Sequence, residues 1–289
     1  MKTTIRQELL AWILMISGLG TILMLMGSTF YVLIAQSMGY FNLTGESYFT
    51  LQYWSGMLRD PVLVSSLLYS VKVSLLGSLG AVIVAYPIAL WLRKPLPMKE
   101  SLIAILRIPM FIPGLVAAFL FINIISFHGV INEILLAANI ISTPLRMQND
   151  SFGTGVIVLQ VWKNMPFALI LISSSVNSVK NDFLYASGNL GANKWQRFIT
   201  IVLPLTLPAL QVALIIVFID AIGDFAFYSV AGPHNVYSLA RLMQSTAMEY
   251  GEWNNAAVIA VIIMITSLLF SILVKLLMSP FMTCKGDLK

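Results

Sequence analysis

Six apolar runs, each long enough to cross a hydrocarbon layer as a helix, set the plan of this chain. They cover about residues 9–35, 62–92, 101–127, 152–176, 205–230 and 253–278. A helix is one of only two backbone arrangements that satisfy every peptide group in lipid, so the pattern predicts an all-α polytopic membrane protein with six transmembrane helices. The first run follows Lys2 and Arg6 but is too long for a secretory signal and has no small-residue cleavage site. Between runs one and two, Tyr40, Phe41, Tyr48, Phe49, Tyr53 and Trp54 predict a headgroup-level aromatic belt with a loop. The third run is interrupted by Pro109 and by Pro113-Gly114. Such a break persists where neighbouring helices or a water-filled cavity satisfy the freed carbonyls, which leaves both a packing kink and a pathway-lining role open. Residues 128–150 read as the next loop, and the fourth run contains Lys163 and Pro166.

The segment 177–204, between runs four and five, is different. From Asp182 to Pro204 it mixes polar, charged and apolar residues over more length than a simple turn requires. Asn181 or Asp182 is placed to cap a short helix carrying Phe183, Leu184, Ala186 and Leu190, which Gly191 stops in a left-handed turn. Asn193 offers a second cap. After it Trp195, Phe198, Ile199 and Val202 form one apolar stripe of a second helix that runs until Pro204 interrupts it. Two readings fit this amphipathic hairpin: it rests on lipid headgroups, or it is a docking surface for a soluble partner.

The spacing of Ala186, Gly191 and Ile201-Val202-Leu203-Pro204 resembles the EAA loop of bacterial ABC importer permeases. In that family a Glu-Ala-Ala triplet precedes a glycine and then Ile-x-Leu-Pro, and the loop seats a coupling helix in a cleft of the ATPase subunit. By position, Ala186 is the first alanine of the triplet, Gly191-Ala192 the Gly-Ala pair and Pro204 the proline; Tyr185 and Ser187 depart from the triplet, Tyr185 replacing its carboxylate. The resemblance implies a type I ABC importer permease fold and an ATPase-docking loop built from Asp182, Tyr185, Ala186, Ser187, Gly191, Ala192, Trp195, Phe198, Leu203 and Pro204. It implies as partners two ATPase subunits, a second and homologous permease subunit, and an extracytoplasmic solute-binding protein. It also implies that ATP and magnesium are bound by the ATPase, with no cofactor on this chain. Further on, Gly223-Asp224-Phe225 and Ala231-Gly232-Pro233 resemble the Gly-Asp-Phe and Gly-Gly-Pro pattern of the polyamine, ferric iron and aminophosphonate branch.

Charge then orients the chain. Of 289 residues, 58% are hydrophobic and 10% charged, against about 25% charged in soluble domains. The net charge of +5 reports topology before it reports a partner, and nothing in it calls for nucleic acid. Six spans put both termini on one side. That side would hold Lys2, Arg6, Arg93, Lys94, Lys99, Lys180, Lys194, Arg197, Lys285 and Lys289, and the opposite loops only Arg59, Arg146 and Arg241. The excess of basic residues makes both termini and the 177–204 loop cytoplasmic, and the expected location is a bacterial inner membrane. No linker or repeat divides the chain, which reads as one permease domain over 1–289.

Charges inside the spans are the remaining candidates. Lys72 and Lys163 fall in spans two and four, and Asp220 and Asp224 in span five, one helical turn apart and so on one face. Each costs roughly 2.5 to 3.5 kcal/mol at bilayer depth without a partner or water. A buried ion pair of Lys163 with Asp220 or Asp224 is one reading; a pathway that passes a cation along the aspartates is the other. The lone Cys284 excludes an internal disulfide, His128 and His234 are isolated loop residues, and the Asn42-Leu43-Thr44 sequon is a lone match. No phosphate-binding Gly-Lys-Ser/Thr loop occurs, Gly77-Ser78-Leu79-Gly80 lacking its lysine, and no nucleophile-base pair points to an enzyme. The sequence therefore predicts the permease subunit of an ATP-driven importer, half of a path for a small solute of the polyamine, ferric iron or aminophosphonate class. An ion-coupled secondary transporter using Asp220, Asp224 and Lys163 is the alternative.

Overall fold

A computed structural model describes residues 5–42, 45–145, 147 and 149–283. Lys2, Leu43, Thr44, Arg146, Cys284, Lys285 and Lys289, which entered the topology and motif arguments, lie outside the described residues. The described residues form helices and connecting turns, with six stretches long and apolar enough to cross a membrane: Leu14–Ser37, Pro61–Leu92, Gly114–Ala137, Thr154–Ser178, Lys194–Gly223 and Trp253–Pro280. The chain divides into two compact units, Met1–Pro61 with Met243–Ile262, and Val62–Leu242 with Ile263–Lys289.

In the first unit, α1 (Ile5–Ser37) carries the first span and ends at Gly39, whose φ of +90° needs a residue without a Cβ. Tyr40 N–H donates to the Ala35 carbonyl and Gly39 N–H to that of Gln36, the paired bonds that close a helix C-terminus. Asn254 Nδ2 donates a second bond to the Gln36 carbonyl at 2.8 Å, and Trp54 Nε1, on the amphipathic α2 (Gln52–Arg59), reaches Ser37 Oγ at 3.4 Å. Tyr40, Phe41, Tyr48 and Phe49 are exposed, as a headgroup-level belt requires.

The second unit is organised around α3 (Pro61–Leu92) and α7 (Thr154–Ser178). They share two apolar clusters. In one, Ala81, Ala85, Ala89 and Leu92 of α3 meet Ala168, Leu169, Ile172 and Val176 of α7 and Leu210, Ala213 and Val217 of α10 (Leu203–Gly223). In the other, Tyr69 and Val73 meet Val156 and Leu159, Ala117 and Ala118 of α5 (Gly114–Ile125), and Phe227 and Tyr228 of α11 (Ala226–Ala231). Lipid supplies no hydrophobic drive to hold helices together, so close approach of small residues does that work. A Cβ at Gly77 would lie 2.9 Å from Gln160 Cβ, which explains the glycine within span two that has no phosphate to bind.

Several boundaries differ from expectation, each for a local reason. The third run is two helices, α4 (Lys99–Phe111) and α5, because Pro113 holds Ile112 in an extended conformation (φ −83°, ψ 124°). The loop after it contains a helix, α6 (Val130–Ala137), whose neighbouring turns are tied by Asn132: its Nδ2 donates to the Ser126, Phe127 and Leu145 carbonyls and its Oδ1 accepts from Leu145 N–H. The fifth run does not extend to Val230: α10 ends at Gly223, and α11 is separate. Between Val230 and Trp253, where the hydrophobic pattern gives no element, α12 (Leu239–Met248) forms. Its first N–H groups donate to Ser70 Oγ and Ser238 Oγ. The final helix, α13, runs from Trp253 to Thr283.

Candidate functional site

The hairpin after α7 is well built by local bonds. α8 spans Asn181–Asn189 and ends in a Schellman turn: Ala192 N–H donates to the Ser187 carbonyl and Gly191 N–H to that of Gly188, both at 3.0 Å, with Gly191 at φ +85°. α9 (Lys194–Arg197) opens with a reciprocal capping box, Asn193 Oδ1 accepting from Gln196 N–H at 2.8 Å while Gln196 Oε1 accepts from Asn193 N–H at 2.9 Å. The expected Gly191 stop and Asn193 cap are thus where the sequence placed them.

The first cap is not. α8 starts without a side-chain cap, since Asn181 lies inside it and its Oδ1 instead accepts from Arg93 Nη2 at 2.7 Å. The same Arg93 nitrogen donates to the Val179 carbonyl at 2.6 Å. One basic residue at the end of α3 therefore ties down the entry to the hairpin, a role that the chain pattern alone did not single out.

Pro204 does not end the second helix. Residues Phe198–Val202 adopt a π turn in which the Leu203 N–H reaches back to the Phe198 carbonyl, and α9, this turn and α10 form one continuous helical stretch, Lys194–Gly223. The extra residue per turn lets the helix pass a proline that lacks an N–H and would crowd the preceding carbonyls. Thr206 Oγ1 bonds the Val202 and Leu203 carbonyls there, and shares a hydroxyl contact of 2.9 Å with Tyr86 of α3. The expected docking residues accordingly divide. Asp182, Tyr185, Ala186, Gly191 and Trp195 are exposed, Tyr185 at 68% and Trp195 at 67% of full exposure. Ser187 and Ala192 are half-buried. Phe198 stacks on Trp195 and packs toward Tyr86 at 5.9 Å, while Leu203 packs on the core and Pro204 is half-buried in α10, so these last three anchor the hairpin. Phe183 and Leu190 extend the exposed apolar surface.

A polar layer lies between the two apolar clusters of α3 and α7. Lys163 does not pair with either aspartate. Its Nζ donates to the Pro109 carbonyl at 2.8 Å, to that of Ile112, and more weakly to that of Met110. These are the carbonyls released where α4 breaks before Pro113, so the lysine caps a helix C-terminus and answers the partial negative charge there. Asp220 and Asp224 do not share a helical face either. Asp224 follows the end of α10 with an extended backbone (φ −69°, ψ 125°), and its Oδ1 accepts from Phe227 N–H at 2.8 Å, capping α11. Gln160 approaches the same carboxylate, at a geometry looser than a formed hydrogen bond, and its Oε1 accepts from Asn164 Nδ2 at 2.9 Å. Asp220 stays on α10, exposed, its carboxylate acting on the Lys163 ammonium only through space, with no direct ion pair or side-chain hydrogen bond among the described residues. It lines a cavity of about 200 Å³ with Met110, Lys163, Asn164, Phe167, Ile216 and Val217. Lys72, in the second span, lies over the rings of Tyr69 and Phe152, at 5.2 and 4.7 Å from their centroids.

Both features fall inside a segment with known relatives. The spermidine/putrescine transport system permease protein PotB of Escherichia coli K12 is 28% identical over 206 residues, 71% of this chain and 74% of that one. PotB of Haemophilus influenzae is 25% identical over 247 residues, 84% and 80% of the two chains. In fold the chain is similar to a chain of a bacterial alginate ABC transporter solved in complex with an alginate pentasaccharide-bound periplasmic protein, with a TM-score of 0.76 over 94% of this chain and 95% of that one at 16% identity. A chain of the MetNI methionine ABC transporter in inward-facing conformations matches with a TM-score of 0.58 over 76% and 96%, also at 16% identity. The family model for the binding-protein-dependent transport system inner membrane component matches residues 77–282, from the close α3–α7 contact through the hairpin to the last helix, and this chain belongs to that family of inner-membrane importer permeases.

Proposed function

We propose that the chain forms half of the translocation path of an importer for a polyamine-like solute, driven through the hairpin Asn181–Arg197 by a separate ATPase. The observation that carries this reading is the hairpin itself. Two capped helices hold Phe183, Tyr185, Leu190 and Trp195 outward, while Phe198, Leu203 and Arg93 fix the base to the helix bundle. An exposed apolar patch on a rigid support is what a protein partner recognises. The excess of Arg and Lys on one set of loops supports a cytoplasmic position for it, with both termini on that side and the whole chain acting as one permease domain.

Six spans enclose half a path, so a second permease completes it, and two ATPase subunits bind ATP and magnesium beneath the pair. A binding protein on the outer side delivers the solute. Tyr185, in the position of the family's carboxylate, favours a heterodimer whose other permease keeps that charge. The similarity to PotB supports the polyamine class of cargo. Vesicles holding the intact complex test it: uptake of labelled spermidine or putrescine should require ATP and the binding protein. Uptake that follows an ion gradient and survives loss of nucleotide would instead establish the secondary transporter. Docking is tested by capture of the ATPase with wild type against Gly191→Pro and Ala186→Arg. Both variants should lose it, and unchanged capture would remove the hairpin from the coupling role.

A further inference from the structure

We propose that the carbonyls of Pro109, Met110 and Ile112, with the Asp220 carboxylate at the adjoining cavity, form a seat for an alkylammonium group, which the Lys163 side chain fills while no cargo is present. The seat is defined by what Lys163 does there. Its ammonium has three donors and directs them at three carbonyls of one chain break, the arrangement that any primary ammonium would adopt in its place. These carbonyls sit at the C-terminal end of α4, where unsatisfied peptide dipoles carry partial negative charge. A cation is therefore favoured at this position, and the tethered one reaches it across the bundle from α7.

The cavity beside it supplies the rest of an alkyl diammonium's needs. Met110, Phe167 and Val217 give it apolar walls, against which a methylene chain loses no hydrogen bonds. Asp220 lines the same space; its carboxylate attracts the Lys163 ammonium through space but makes no direct ion pair or side-chain hydrogen bond among the described residues, so it can receive a second ammonium. Asp224 is excluded from the seat because its carboxylate caps α11. A carbonyl cluster and a carboxylate separated by apolar walls match a linear diamine better than a single metal ion or an anion. The inference rests on the polyamine reading for its biological cargo, though the seat is a property of this chain alone.

The test uses the intact purified complex and follows its thermal unfolding while methylammonium, 1,4-diaminobutane or sodium is added. In Lys163→Met the seat is vacant, so both amines should raise the midpoint at concentrations about 10-fold or more below those needed by wild type, and sodium should not. Adding Asp220→Asn to Lys163→Met should abolish the advantage of the diamine over the monoamine. Should Lys163→Met fail to assemble, Lys163→Gln, whose shorter and uncharged amide leaves the seat without a cation, carries the same readout. A midpoint that moves equally with sodium, or not at all, overturns the seat. ATP-dependent polyamine uptake by wild type, measured alongside, separates the two claims. Uptake without an amine-specific shift in the variants sinks the seat alone, whereas a shift without uptake upholds the seat and sinks the cargo.

Discussion

Two side chains in this molecule show how a charged residue can be explained by backbone geometry before any role in transport is invoked. Arg93 places one nitrogen on the Val179 carbonyl and on Asn181 Oδ1, so its removal leaves the entry to the hairpin unheld. Hydrogen bonds from a charged donor contribute about 1.5 to 3 kcal/mol each at most, and less at this half-exposed position. Arg93→Ala should therefore leave the permease folded, with faster hydrogen exchange at Asn181–Leu184 and weaker ATPase capture; unchanged exchange would count against the tie. Asp224 accepts from Phe227 N–H as a cap. An asparagine can accept the same bond, so Asp224→Asn should keep uptake near the wild-type rate, while Asp224→Ala should lose about 1 kcal/mol of stability. Uptake abolished by Asp224→Asn, with the fold intact, would return this carboxylate to the pathway.

Elements were legible where the signal is local and illegible where it depends on what lies across the bundle. The Gly191 stop and the Asn193 box need only neighbours within five residues, and both stand as the sequence implies. Asn181 misled because a donor just past the end of α3, eighty-eight positions away, claims its oxygen. Lys163 misled for a similar reason: opposite charges nearby argue for a salt bridge, but the broken third run offers the Ile112 carbonyl and that of Pro109, which otherwise accepts a long 3.4 Å bond from Ile112 N–H. Pro204 is the clearest case, since a proline normally closes a helix and here a π turn carries the helix past it. Removing the proline should let the turn relax to α geometry, shifting the register by one residue, or about 100° of rotation between hairpin and span. Pro204→Ala is expected to keep ATPase capture but to lower uptake per ATP hydrolysed, and unchanged coupling would show the register to be immaterial. At Gly191 a Cβ meets nothing within 4 Å, so the cost of Gly191→Ala is backbone strain alone, about 1 to 2 kcal/mol, and Gly191→Asn should cost less. Thermal unfolding of the two variants reports the difference.

At the scale of the whole molecule, six apolar stretches and a biased distribution of basic loops make a testable topology. Cys284 is the sole cysteine, so Cys284→Ser gives a clean background for single-site labelling. With Ser187→Cys or Gln196→Cys, an impermeant thiol reagent should react in inverted vesicles and not in intact cells; reaction only from outside would reverse the orientation and separate the hairpin from any cytoplasmic ATPase. The continuous helical stretch Lys194–Gly223 has a mechanical meaning of its own. Its 30 residues make a rod of about 45 Å with Trp195 near one end and Asp220 near the other. A tilt of about 10° pivoting at the Asp220 end would sweep Trp195 through roughly 7 Å, a displacement larger than one helical pitch. Small angular changes beside the intramembrane cavity are thereby magnified at the exposed hairpin, and large strokes at that surface are reduced to fine adjustments around the charges.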